Sequence, residues 1–226
     1  MNSPKHTVIL GSYNRPKLVR QAISSVLGQT VADWQLLIAD DGSNEETLAS
    51  IRDLIGQDRR CELLTAPHID DALPRPDCAN RAVQRINDAI KFVRGEVVHY
   101  LADDDWYDLR RFGVFDDLFS NPDIVAGYGR LNYADGNGTP LGLSRYFEVV
   151  SDPCQVLDQN QVAHRRLVFE RIPKWPHAVD WASDGHFLRE ISRHWKFHGI
   201  DRLVAFKREH SMAMCSTQVR TTGKRE

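Results

Sequence analysis

The chain has 226 residues, 42% hydrophobic and 27% charged, with a formal net charge of −2. This is the balance of one large soluble globular domain, and it excludes disorder, collagen-like repeats and a disulfide-dense miniprotein. No apolar run approaches the roughly 20 residues of a membrane-spanning helix, and the net charge is too mild to point to nucleic acid or a membrane surface.

In chain order, Thr7–Gly11 (TVILG) reads as a buried strand. A helix follows over Pro16–Leu27, with proline in the first turn where its missing N–H costs nothing. Trp34–Ala39 is a second strand, and Asn44 is placed to cap a helix over Glu45–Ile55 whose first turn carries two glutamates. Cys61–Thr65 reads as a weaker third strand, and a proline-rich loop over Ala66–Pro76 leads to a helix over Ala79–Val93. Val97–Ala102 (VVHYLA) is a fourth strand, and it runs into Asp103-Asp104-Asp105. Strand–helix alternation with short loops predicts an α/β fold with a mostly parallel sheet covered on both faces.

Beyond Asn121-Pro122 the pattern changes to an α+β elaboration. A strand is expected over Ile124–Tyr133, a hairpin turn at Asp135-Gly136-Asn137-Gly138, and strands with loop over 140–163. Arg165–Glu170 and Gly185–Trp195 look helical, Leu203–Lys207 is a last strand, and 216–226 is a polar, disordered tail. The organisation expected is a ligand-binding part over 1–121 and a second part over 122–215 of the same domain. Residues 1–163 hold 16 basic and 24 acidic side chains and 164–226 hold 13 and 7, an asymmetry that suits metal ligands early and an anionic partner late. Four scattered cysteines without CxxC spacing, and an N-terminus without an export signal, point to free thiols in the cytoplasm.

Parallel sheets bind ligands at the carboxyl ends of their strands. Three of those ends are polar here: Ser12-Tyr13-Asn14, Asp40-Asp41-Gly42 and Asp103-Asp104-Asp105. Adjacent carboxylates repel one another unless a cation neutralises them, and oxygen-only donors favour Mg²⁺ or Mn²⁺. Alternation along an extended chain would send Asp103 and Asp105 one way and Asp104 the other. Tyr13 offers a face for stacking a base, and a carboxylate at Asp40-Asp41 suits a base N–H. Gly-x-Gly-x-x-Gly, Walker and Gly-x-Ser-x-Gly patterns are all missing, which weakens dinucleotide, P-loop and hydrolase readings.

The segment VILGSYNRPKLVRQAISSVLGQTVADWQLLIADDGSNEET, with GEVVHYLADDDWY, resembles family 2, GT-A-fold glycosyltransferases, closest to the spore-coat polysaccharide type. The resemblance implies a GT-A (Rossmann-like) sheet, a nucleoside-diphosphate sugar donor carrying UDP or dTDP, and inverting, metal-assisted transfer to an acceptor hydroxyl, a glycan among the candidates. Carried over by position, it implies that Gly11, Tyr13 and Asp41 hold the base and Asp103 the ribose. Arg75 or Arg81 would touch the nucleotide, and Asp104 or Asp105 would hold the metal with His210 as a further ligand. Asp184 is the implied general base, with Asp180 its neighbour and competitor. Arg208 would face the diphosphate, and His164, Arg165 and Arg166 are placed either at the acceptor or at a solvated helix start. The rival classes are a nucleotidyltransferase and a sugar-nucleotide-binding module without turnover.

Overall fold

The computed structural model describes residues 3–67, 77–154, 156–177 and 183–209, with the side chains of 77–79 excepted. The first half runs β1 (His6–Ser12), α1 (Pro16–Leu27), β2 (Trp34–Asp40), α2 (Glu45–Ile55), β3 (Cys61–Thr65), α3 (Asp77–Ile90) and β4 (Val97–Ala102). Next come β5 (Trp106–Tyr107), α4 (Arg111–Leu118), β6 (Ala126–Ala134), β7 (Pro140–Leu143) and β8 (Val149–Val150). A 3₁₀ turn (Gln159–Gln161) then leads through β9 (Val162–Arg165), α5 (Val168–Arg171) and α6 (Ser183–Ser192) to β10 (Phe197–Arg208).

Near-continuous apolar strands mean burial on both faces, and the side chains divide accordingly. Val8 and Leu10 of β1 and Leu36 and Ile38 of β2 pack with Val19, Ile23 and Val26 of α1 and Phe112 and Phe115 of α4. Ile9, Leu37 and Tyr100 point the other way, into a second core with Val83 and Ile86 of α3 and Phe187, Leu188 and Ile191 of α6. Asn44 caps α2 as its residue type predicts, Oδ1 accepting from Thr47 N at 3.0 Å.

The sheet order is β3-β2-β1-β4-β9-β6-β10-β5, with β7 on β6 and β8 on β10. β3, β2, β1 and β4 are mutually parallel. The second half is mixed: β9 is antiparallel to both β4 and β6, while β10 runs parallel to β6. One continuous sheet therefore crosses the expected boundary at 121. Register aligns Ser12 with Asp40, and Gly11 with both Ala39 and Ala102. Three strand ends thus finish at one level, flanking β1 where the strand order reverses, the place such sheets bind ligands.

The second half departs from the expected elements in three places. Arg165 closes β9 instead of opening a helix, the last strand is 12 residues long, and α4 has no counterpart in the sequence reading. His164 is fully buried, hydrogen-bonded to the Tyr100 hydroxyl at 2.9 Å. Arg165 pairs with Glu96 and donates to the carbonyls of Ile124 and Phe119. Neither is a solvated helix start, because β9 is inserted between β4 and β6 in mid-sheet. Among the described residues no helix is long and apolar enough to cross a membrane.

Candidate active site

A cavity of about 300 Å³ opens at the carboxyl ends of β1, β2 and β4. Gly11, Tyr13, Asp41, Arg81, Asp103, Asp104, Asp105 and Asp184 all line it. Arg75, His210 and Asp180 lie outside the described residues.

At one end the two neighbouring aspartates of β2 have different work. Asp40 is completely buried and folds back on its own turn, accepting from Gly42 N at 3.0 Å, Ser43 N at 2.9 Å and the Ser43 hydroxyl at 2.5 Å. Gly42 has φ of 75°, the left-handed conformation that glycine adopts without strain. This tight turn turns the next carboxylate, Asp41, into the cavity. There it faces Arg81 Nε at 3.4 Å and Arg85 Nε at 3.7 Å, two arginines four residues apart on one face of α3. The Arg81 guanidinium also stands 5.6 Å from the Tyr13 ring. Arg85 escaped the sequence reading, although its i+4 spacing from Arg81 was there to be used.

The aspartate triplet does not alternate as an extended strand would. β4 ends at Ala102, and the chain turns at once, Asp105 N donating to Ala102 O at 3.2 Å. Asp103 and Asp104 therefore point to the same place. Oδ2 of Asp103 accepts from Tyr13 N at 2.9 Å, tying the first and third strand ends together. Burial, only partly countered by Arg15, lifts the Asp103 carboxyl to about 6. Asp105 is turned inward: one oxygen accepts from Arg208 N at 2.7 Å and the other from Asn160 Nδ2 at 2.8 Å. Burial and the neighbouring Asp104 and Asp158 hold its carboxyl well above the ordinary range. With both oxygens of Asp105 engaged by the protein, Asp104 is the better-placed candidate for a metal ligand.

Among the described residues no three carboxylate, imidazole or thiol groups converge as a metal cage. A Mg²⁺-type ion needs no such cage when substrate phosphates complete its shell. The donor set fits that arrangement: one Arg15 nitrogen sits 2.8 Å from an oxygen of Asp103 and 2.8 Å from an oxygen of Asp104, so the pair already accommodates a cation.

Across the cavity, Asp184 is the second residue of α6, and its Oδ1 accepts from Gly185 N at 2.9 Å. Burial and nearby Asp158 raise its carboxyl, against the pull of Lys207. Lys207, from the end of β10, is paired tightly with Asp158, and that pair keeps the lysine charged and Asp158 ionised. Asp158 also accepts from Asn160 N at 2.9 Å and Asn160 Nδ2 at 2.6 Å, while Asn160 Oδ1 accepts from Ala102 N at 2.9 Å. Asn160 thus links the end of β4, Asp105 and Asp158. The Arg208 guanidinium is braced against the carbonyls of Gly136 (2.7 Å) and Asp104 (3.2 Å) and lies over Trp106.

Residues 7–69 match the family described as Glycosyl transferase family 2. The chain is 32% identical to Protein CgeD of Bacillus subtilis over 174 residues, covering 74% of this chain and 40% of that one. Over residues 7–69 the chain thus carries the family 2 glycosyltransferase pattern, and its fold is that of the GT-A glycosyltransferases. A second relative is the Escherichia coli UDP-Glc:alpha-D-GlcNAc-diphosphoundecaprenol beta-1,3-glucosyltransferase WfgD, 28% identical over 58% of this chain and 47% of its own length. The chain thus spans less than half of either of these two relatives. The GT-A fold is matched by the crystal structure of S. aureus TarS 1-349, with a TM-score of 0.70 and 16% identity over 90% of this chain and 60% of that one. It is matched as well by the mannosyltransferase PcManGT of Pyrobaculum calidifontis, solved with GDP-Man and Mn²⁺, at a TM-score of 0.68 and 15% identity, over 94% of this chain and 59% of that one.

Proposed function

We propose that the protein transfers a sugar, with inversion, from a nucleoside-diphosphate donor carrying UDP or dTDP to an acceptor hydroxyl. The observation that carries this reading is the single cavity on which Tyr13, Asp41, Asp103, Asp104 and Asp184 converge. The match of residues 7–69 to Glycosyl transferase family 2 supports it. So does the binding of nucleotides by structural neighbours: TarS is described in complex with UDP and with UDP-GlcNAc.

In this reading the base lies on Tyr13 with its N–H toward Asp41, and Arg81 and Arg85 fix that carboxylate in place. Asp103 receives the ribose hydroxyls. Asp104 would hold a divalent ion, Mn²⁺ or Mg²⁺, which when bound offsets charge on the departing nucleoside diphosphate. The acceptor oxygen attacks the anomeric carbon from the side opposite the leaving group. The new C–O bond forms as the bond to the diphosphate breaks, and the acceptor's proton passes to the Asp184 carboxylate. The raised proton affinity of Asp184, set by burial and Asp158, makes it a stronger base than an exposed aspartate.

Donor turnover assayed with Mn²⁺ and with EDTA tests the reaction class. Asp184→Asn is expected to lower kcat by about 10²–10⁴-fold while nucleotide affinity holds, the range for loss of a general base. An Asp184→Asn protein of normal kcat would move the base elsewhere, and a wild-type protein that binds no nucleoside diphosphate with metal present would end the reading.

A further inference from the structure

The Asp103–Asp104 pair is already bridged by a cation from its own chain. Nη1 of Arg15 donates to Oδ1 of Asp103 and to Oδ2 of Asp104, each at 2.8 Å. The side chains of Arg15, Asp103 and Asp104 are 22%, 7% and 11% exposed, so solvent screens the contact far less than it would an ion pair on the surface.

The placement is built by the loop between β1 and α1. Asn14 takes a left-handed conformation at φ of 49°, which asparagine tolerates better than most residues. It is held there by two hydrogen bonds to the following turn: Asn14 N to the Ser43 hydroxyl at 3.0 Å, and Asn44 N to Asn14 Oδ1 at 2.8 Å. Pro16 then bars Arg15 from the helical region, and Arg15 sits at φ of −133° and ψ of 66°. Tyr13 and Arg15 consequently both face the strand ends.

A guanidinium between these carboxylates repels a divalent ion that approaches the same oxygens. A diphosphate relieves the conflict, because its oxygens match the planar donor fork of an arginine better than two separate aspartates do. We infer that Arg15 is the resident counter-cation of the Asp103–Asp104 pair and couples metal entry to donor entry. The arriving diphosphate draws the guanidinium off Asp103 and Asp104, which frees Asp104 to accept the divalent ion and Asp103 to meet the ribose. The inference rests on the nucleoside-diphosphate reading given above. It makes the coupling reciprocal: whatever factor the diphosphate adds to metal affinity, the metal adds to diphosphate affinity.

Binding measured without turnover tests it, on the intact protein. Mn²⁺ alone is titrated into wild type, Arg15→Gln and Arg15→Ala by calorimetry or by the electron paramagnetic resonance of free Mn²⁺. Both variants are expected to bind Mn²⁺ about tenfold more tightly than wild type, within the usual span of coupling factors. In EDTA they are expected to bind UDP about tenfold less tightly, and uridine, which has no phosphate, equally well. A general disruption of the site weakens all three ligands, so a gain in metal affinity has no such explanation. Mn²⁺ affinity that is unchanged or lower in both variants, with UDP binding by the wild type intact, overturns this inference alone. Failure of the wild type to bind UDP, dTDP or GDP in the presence of Mn²⁺ removes the nucleotide reading and the coupling together.

Discussion

Asp40 and Asp41 are consecutive, both buried, and chemically identical, yet their partners differ completely. Asp40 satisfies three donors of its own turn, whereas Asp41 faces the cavity and two arginines. Substitution should separate the roles. Asp40→Ala leaves those donors unpaired in the interior and is expected to cost about 1–3 kcal/mol of stability, read by urea unfolding. Asp41→Ala is expected to weaken UDP binding by tenfold or more in a calorimetric titration, the equivalent of one charge-assisted hydrogen bond to the base. A protein in which Asp40→Ala weakened UDP binding and Asp41→Ala did not would reverse the assignment. The sequence located this pair because Asp-Asp-Gly after an apolar run marks a strand end. Residue types alone left open which carboxylate faces the ligand, and only the resemblance pointed to Asp41, because the choice depends on the left-handed turn at Gly42. The same holds for Asp103-Asp104-Asp105, where strict alternation fails once the strand stops at Ala102. Arg15 was overlooked for a related reason: its target lies 88 residues away, and only the parallel register brings them together.

Elements in the first half follow local rules, and their bounds were accordingly legible. Pro16 starts α1, Asn44 caps α2, and strands buried on both faces read as apolar runs. β9 is different. Its four residues, Val162–Arg165, become a strand because β4 and β6 each offer it an open edge, which nothing local announces. α4 is likewise held from outside, by Arg111 at its first position. That side chain is fully buried, and among the described residues its hydrogen bonds go to no carboxylate. It donates to the carbonyls of Asn160 (2.5 Å) and Val162 (2.7 Å) and to His99 Nδ1 (3.2 Å), and it stacks over Tyr107. Burial lowers its proton affinity only to about 10, so it stays charged at neutral pH. Because it grips the turn that carries Asn160, Arg111 also steadies the wall that holds Asp105. Arg111→Met strips two buried carbonyls of their donor, and a loss of about 2–5 kcal/mol in unfolding free energy is expected, from about 1–3 kcal/mol for each acceptor left unpaired. A loss below 1 kcal/mol would mean that α4 and the 159–161 turn are held by apolar packing alone.

Across the whole molecule, the histidines buried in the sheet and the carboxyl buried at its strand ends pull stability in opposite directions as pH falls. His164 is sealed between β4, β9 and α6, touching Tyr100, Phe169 and Phe187. A carbonyl can only accept, so Nδ1 carries the proton that meets Arg165 O at 2.9 Å, and Nε2 must then accept from the Tyr100 hydroxyl. A second proton on Nε2 would place a charge in the apolar core, and burial holds this imidazole down to about 4. Between pH about 6.5 and about 4 the unfolded chain therefore binds a proton that the native chain refuses, and native stability falls as the pH is lowered through that window. His99, depressed by burial and by Arg111, acts with the same sign. Asp103 acts against them. Its carboxyl is raised to about 6, so the native chain binds a proton ahead of the unfolded one, and acid relieves a cost paid at neutral pH. The wild-type profile is a compromise, and only a difference between proteins isolates one group. From pH 7 to pH 5, wild type is expected to lose about 2 kcal/mol more than His164→Gln, which carries no titrating group at that position, as urea unfolding at each pH would show. Parallel profiles for the two proteins would mean that His164 takes up its proton as readily in the fold as out of it, and that the core between β9 and α6 opens to water.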